Sequence, residues 1–279
     1  MERSGDHIMR LVREADPDRY LSALYAPEPK RADLLALYAF NAETASVRNR
    51  ISEALPGEIR LQWWRDTLIA GEATGNPVAD TLIDAIERHK LPLAAFENYL
   101  DARIFDLYDD PIADRTTLEG YCGDTASALI QLSSLILDPK AARSFADAAG
   151  HAGCAQAITG LIRLMPRHRA RGQCYVPQEM LSAAGISREA YLSAEPGAAG
   201  GRVVSVMVAV AREHLAIFER EAGPLPQSLR PAFLPASLAR HYLDAAERLE
   251  GRALSEETDI SPLRRYWTLW RHAARGWKA

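Results

Sequence analysis

The densest concentration of reactive side chains lies between Gln156 and Leu181, QAITGLIRLMPRHRARGQCYVPQEML. An apolar helical run there ends in Arg163, Arg167, His168, Arg169 and Arg171, just before a turn at Gly172. So much like charge in one turn requires either an anion or bulk water to receive it. Arginine forks bind phosphate oxygens bidentately, so a phosphate or a lipid headgroup is the matching ligand. The competing reading leaves Arg167 and Arg169 solvated and pairs Arg163 with an internal acid. Carboxylates form a second set. Asp80/Asp84 and Asp106/Asp110 stand four residues apart, the spacing that places two acids on one helix face where they can share Mg²⁺. Asp80 and Asp84 open a helix, where acids simply complement the dipole, and Pro111 breaks the chain after Asp110, so Asp106/Asp110 is only a minor metal candidate. The seven histidines make no close ligand pair, which argues against zinc.

The elements that must carry these residues read as helices. Apolar positions recur at helical spacing over residues 32–48, over Ile59–Ala70, and around Leu82, Ile83 and Ile86. They recur again over Phe96–Leu107, Thr117–Leu137 and residues 141–164. A stripe of Val203, Met207, Val210, His214 and Phe218 follows, and a last long helix is expected near residues 229–250. Pro/Gly turns separate them, among them Pro56-Gly57, Asp138-Pro139, Pro196-Gly197 and Gly223-Pro224; Gly200-Gly201 reads as a loop. Only Cys174–Val176 reads even weakly as strand, and no alternation of strands with helices or fixed-period repeat is present. About eight helices in one all-α domain spanning 1–279 is the expectation.

Composition bounds the function. With 48% hydrophobic and 25% charged residues, the 279-residue chain can bury a sizeable core. A net charge of −4 argues against a nucleic-acid partner. Cys122, Cys154 and Cys174 show neither zinc-like nor disulfide spacing, which points to a reducing compartment. The first twenty residues lack a signal-peptide core, and no apolar run approaches the ~18 residues of a spanning helix. A cytoplasmic protein, or one peripheral at the inner membrane, is expected.

Several segments, in this order and spacing, resemble the squalene/phytoene synthase family: Asp18–Glu43 (DRYLSALYAPEPKRADLLALYAFNAE), Ile59–Leu68 (IRLQWWRDTL), Phe105–Leu107, Gly120–Cys122 and Arg171–Leu181 (RGQCYVPQEML). The resemblance implies an isoprenoid-synthase-type helical bundle with a central pocket. It also implies head-to-head condensation of allylic diphosphates on Mg²⁺ held by two aspartate-rich motifs. This sequence departs from that pattern. Aligned on Tyr38–Phe40, the first motif's aspartate positions fall on Ala45 and Asn49. Aligned on Arg163 and Tyr175–Pro177, the second motif's fall on Leu164 and His168. Gln173 replaces a further family arginine. Phe40–Glu43 and Ile162–His168 most resemble the branch that contains the mitochondrial complex I assembly factor, which also lacks these motifs.

Arg163, His168 and Arg171 of the basic turn, with Arg48 of the facing helix, are the anion or diphosphate candidates. Tyr38, Asn41, Glu43, Asn49, Asp106, Tyr121, Asp124 and Tyr175 become pocket candidates, with Trp63 and Trp64 as further aromatic lining or plain core. A buried Glu43–Arg163 pair is expected to replace the lost metal bridge. No cofactor is expected, or Mg²⁺ if the chain is an enzyme. The tail, Ser261–Ala279, holds Arg264, Arg265, Arg271, Arg275 and Lys278, no acid, and Trp267, Trp270 and Trp277. It would lie on an anionic membrane surface or dock its tryptophans on the domain. Two functions compete: a non-catalytic protein that binds a lipid or a partner protein in assembling a respiratory or membrane complex, and an active prenyltransferase.

Overall fold

Glu28–Ala45 forms the helix around which the interior is arranged. Proline occupies its first turn, where no backbone N–H is needed. From Asp33 to Asn41 every residue is buried, so this helix is wrapped on all sides rather than presenting one stripe to a core. Phe40 sits at its centre, edge-on to Trp64 at 5.0 Å and to Phe96 at 5.6 Å, and tilted against Tyr99 at 5.2 Å. Each such pair adds about 0.5–1.5 kcal/mol beyond area burial. Trp64 is therefore core, and Trp63 points outward.

The computed structural model describes residues 2–51, 53–193 and 197–277. Among these the chain is helical with no strand, and Cys174–Val176 is an irregular link rather than an extended pairing segment. Pro196 and Lys278 lie outside the described residues. Helices Ala54–Ala70, Pro77–His89 and Leu93–Tyr108 pack around the central one on one side. Ala146–Arg163 and the 25-residue helix Gly197–Glu221 pack together on the other. Gly200-Gly201 belongs to this last helix instead of a loop.

Three expected helices are interrupted, the run over residues 141–164 by a 3₁₀ turn at Arg143–Phe145 that leaves Ala146–Arg163 as its main helix. The run expected over Thr117–Leu137 is α-helical over Arg115–Cys122 and Ala128–Leu137, with a π-helical turn at Gly123–Ser127 between them. A widened turn of this kind frees backbone groups for side chains, and Thr125 Oγ1 donates to the Tyr121 carbonyl at 2.6 Å. Gly153 packs directly on it: a Cβ there would collide with the Ser127 backbone. Ser127 Oγ completes the joint by donating to the Gly150 carbonyl at 2.9 Å. The last long run divides into Arg230–Ser237, with Pro235 inside it, and Ala239–Leu249. Proline removes a helical hydrogen bond and forces the break.

The tail forms a helix, Pro262–Arg275, capped by the Ser261 side chain accepting from Arg264 N–H. Its end is fastened to the domain. Arg230 Nη1 donates to the Ala273 and Ala274 carbonyls at 2.8 Å, and Trp277 is buried edge-on to Phe218 at 5.3 Å. Trp277 thus docks on the domain, while Trp267 and Trp270 remain exposed.

Candidate functional site

The helices enclose a cavity of about 700 Å³, within the range of small-molecule sites. Its wall draws on both segments singled out above. Asn41, Ala45, Arg48 and Asn49 come from the end of the central helix and the 3₁₀ turn after it. Gln156 and Arg163 come from Ala146–Arg163, His168 from the short helix Met165–Ala170, and Leu164 from the joint between them. All four positions where the family resemblance puts metal-binding aspartates (Ala45, Asn49, Leu164 and His168) are on this wall. They present a methyl, an amide, an isobutyl group and an imidazole.

Asp106, Tyr121 and Tyr175 come together around a residue that sequence reasoning missed, Arg103. The buried Arg103 guanidinium donates through Nη1 to Asp106 Oδ2 at 3.1 Å and to the Tyr121 hydroxyl at 3.0 Å, and through Nε to the Tyr99 hydroxyl at 3.0 Å. Asp106 also accepts from the hydroxyls of Tyr175 at 3.0 Å and Tyr121 at 3.3 Å. Tyr99 in turn donates to Asn41 Oδ1 at 2.8 Å. Burial works against the Arg103 charge, but Tyr99, Tyr121 and Asp106 hold its pKa well above the ordinary value. Burial, then the Asp106 charge, raises Tyr121 and Tyr175, so both phenols stay protonated as donors. The available signal was an arginine set three residues before Asp106 on a helix whose apolar positions, Phe96, Tyr99, Leu100, Ile104 and Leu107, lie around it.

The remaining basic residues on the wall are likewise paired. Arg19 meets Asp16 at 2.6 Å, Arg167 meets Glu257 at 2.8 Å, and Arg48 bonds Asp109. Arg163 lies 3.6 Å from Asp18 and 3.8 Å from Asp259, with its guanidinium carbon 3.7 Å from the centroid of the Tyr242 ring. Arg265, from the tail helix, reaches Asp18 at 2.7 Å and Asp259 at 3.0 Å. Each of the six arginines on the wall therefore has a carboxylate within ion-pairing distance. His168 adds no charge, because burial, then Arg171 and Arg167, lowers its pKa to about 4.

Several expectations need correction. Arg163 pairs with Asp18 and Asp259, not with Glu43, which faces Arg60 at 3.7 Å away from the cavity. Asp18 lies in the first turn of Pro17–Ala23, too distant in sequence from Arg163 for spacing to reveal. Tyr38 is core, its hydroxyl accepting from Ser133 at 3.2 Å. Asp124 is exposed on the π-helical turn and off the wall. Arg171 is exposed at the rim, bonded to Asn49. Arg169 is neither solvated nor a ligand group; it ties the basic turn to the Tyr191 and Leu254 carbonyls at 2.7 and 2.6 Å. Asp80 turns back on its own loop, accepting from Thr74 and Gly75 N–H at 2.7 and 3.0 Å.

The wall does not fit a Mg²⁺ clamp. Asp110 is exposed and away from the cavity, so it cannot share an ion with Asp106. The carboxylates on the wall are already engaged by arginines and hydroxyls, and no group of three or more His, Cys, Asp or Glu side chains is placed to hold a metal among the described residues. What the wall offers instead is small apolar surface from Ala42, Ala45, Leu129 and Leu161 beside neutralised polar groups. Three buried polar groups on the wall lack a protein partner, the acceptor Gln156 Oε1, the donor Arg48 Nε and the Thr258 hydroxyl.

An all-helical bundle with a central cavity, flanked by these segments, defines the class. The sequence profile of the squalene/phytoene synthase family matches residues 12–271, and the chain belongs to that family. It is 29% identical to human NADH dehydrogenase (ubiquinone) complex I, assembly factor 6, over 95% of this chain and 82% of that protein. It is 28% identical to presqualene diphosphate synthase of Zymomonas mobilis over 66% of this chain and 64% of that enzyme. Among solved structures, a dehydrosqualene synthase in complex with ligand superposes with a TM-score of 0.85 at 17% identity, covering 98% of this chain and 96% of the other. At that identity the likeness concerns the fold.

Proposed function

We propose that this chain is a binding member of the family that assists assembly of a respiratory complex and does not condense prenyl diphosphates. The observation that carries this reading is the cavity wall itself: the four positions where the family resemblance puts aspartates face the cavity without a carboxylate, and each wall arginine lies within ion-pairing distance of an acid of the same chain. Ionising an allylic diphosphate needs counter-charge on the departing group, and this wall has already spent its cations on aspartates and glutamates. It suits a neutral or zwitterionic lipid, isoprenoid or otherwise, which Gln156 Oε1 and Arg48 Nε would orient while the alanine and leucine surface covers its chain. Such a protein needs no metal cofactor. The protein partner is proposed by analogy with the complex I assembly factors. The location proposed with it is the cytoplasmic side of an inner membrane; no helix among the described residues is long and apolar enough to cross one.

A second reading, head-to-head condensation, draws on the cavity and on the presqualene diphosphate synthase relative. The two separate in one experiment. Purified protein with farnesyl or geranylgeranyl diphosphate and Mg²⁺ is expected to release no diphosphate above a protein-free control, and Mg²⁺ with inorganic diphosphate is expected to leave its melting temperature unchanged. Diphosphate release coupled to a condensed prenyl product would overturn the proposal. Deleting the gene in its host is expected to deplete assembled complex I, and an undiminished complex would count against the assembly role.

A further inference from the structure

The tail helix Pro262–Arg275 divides into three faces. Arg265, Thr268, Leu269 and His272, at helical spacing, turn inward: Thr268 and Leu269 are buried, and Arg265 and His272 are partly covered. On the opposite face Leu263, Tyr266, Trp267 and Trp270 fall at i, i+3, i+4 and i+7, the repeat of one helical stripe. That stripe is uncovered, with Leu263 83%, Trp267 63%, Tyr266 55% and Trp270 48% exposed. The two indole rings lie 5.1 Å apart. The apolar surface continues past the helix: Trp270 lines a shallow groove of about 250 Å³ with Tyr25 and Pro231, and Tyr25 and Leu24 are themselves 41% and 40% exposed.

The third face identifies the occupant by charge. Arg264, Arg271 and Arg275 are all exposed and lie on one flank of the aromatic stripe, separated by seven and four residues. The helix carries no acid. Burial, then Arg264, lowers the pKa of the adjacent His241, with Asp244 opposing and Arg240 and Arg271 adding to the fall. Indoles beside guanidinium groups, with an aliphatic tip at Leu263, match the boundary between lipid headgroups and acyl chains, where aromatic rings are half-wet and arginines meet phosphate. The helix is clamped to the domain by Trp277 and by Arg230, so this face needs no folding on contact.

We propose that the Leu263–Trp270 stripe, with Arg264, Arg271 and Arg275, is a docking face for an anionic lipid bilayer. The helix also carries Arg265, which forms part of the cavity wall, so docking here would hold the cavity close to the lipid surface. This inference is independent of the cavity reading, since a prenyltransferase and a binding protein would use such a face equally.

The test is co-sedimentation of the full chain with vesicles of phosphatidylcholine containing phosphatidylglycerol, beside vesicles of phosphatidylcholine alone. Binding is expected only to the anionic vesicles, with a blue shift of tryptophan emission and a marked loss at high salt. Trp267→Ser with Trp270→Ser, and separately Arg264→Glu with Arg271→Glu, are each expected to weaken binding at least tenfold. These side chains are exposed, so circular dichroism and melting of the variants should match the parent. Equal binding by folded variants and parent would overturn the proposal. So would no binding to either vesicle, or a dimer in solution that the tryptophan variant dissociates, because a second copy would then cover the stripe.

Discussion

Arg103 Nη1 lies 3.1 Å from Asp106 Oδ2 with both side chains almost excluded from solvent, and this pair joins Tyr99, bonded in the core to Asn41 of the central helix, to Tyr121 and Tyr175 on the cavity wall. Removing one member leaves the other as an uncompensated buried charge, which costs about 3–5 kcal/mol. Asp106→Asn or Arg103→Met is therefore expected to lower the denaturant midpoint by a corresponding amount. The double variant Arg103→Met with Asp106→Leu should lose less than the sum of the two, because no unpaired ion remains. Additive losses in urea denaturation would show that the pair is not coupled.

Gly153 and Gly150 sit one turn apart on the same helix and should respond in opposite directions to alanine. At Gly153 the new methyl meets the Ser127 backbone, which cannot rotate away, so overpacking is expected to cost about 1–3 kcal/mol. At Gly150 the same methyl meets nothing within 4 Å, and the gain in helix propensity is expected to stabilise by about 0.5–1 kcal/mol. Thermal melting of the two variants side by side checks this. A stable Gly153→Ala protein would mean that the π-helical turn does not pack as closely as described.

His168 makes stability depend on pH. Folding lowers its pKa from 6.5 to about 4, through burial first and then through Arg171 and Arg167. The unfolded chain therefore takes up the proton more readily. The contribution of the neutral ring is fully present above pH 6.5 and is lost as pH falls towards 4. Relative to His168→Gln, the parent protein should lose stability across that window, by on the order of 3 kcal/mol at its acid end. Parallel stability–pH curves for the two proteins would refute the assignment.

Much of the architecture was legible beforehand, because helical periodicity and Pro/Gly punctuation are local. The runs at Ile59–Ala70 and Phe96–Leu107 appear as helices close to their expected limits, and most of residues 141–164 appears as Ala146–Arg163. The interruptions were not legible. The Gly123–Ser127 turn is set by the close approach of Gly153, which a periodicity scan cannot see.

At the cavity the residue types were readable but their partners were not. Asn41, Asn49, Asp106, Tyr121, His168 and Tyr175 all face it, as their places in the family-like segments imply. The arginines differ. Arg163 was expected against Glu43 and instead meets Asp18 and Asp259; Arg48 meets Asp109, 61 positions away, a residue held at φ +53° beyond the end of its helix.

The sequence by itself determined that the chain is all-helical, that Ala45, Asn49, Leu164 and His168 stand within or beside its apolar helical runs, and that the tail is basic and aromatic. These follow from residue type and local spacing alone. Only the tertiary structure decided that those four positions share one cavity, that the wall arginines are neutralised from within, and that Trp277 is buried while Trp267 and Trp270 are not. Charge pairing and burial depend on distances between residues far apart in the chain, and those distances exist only once the helices have packed.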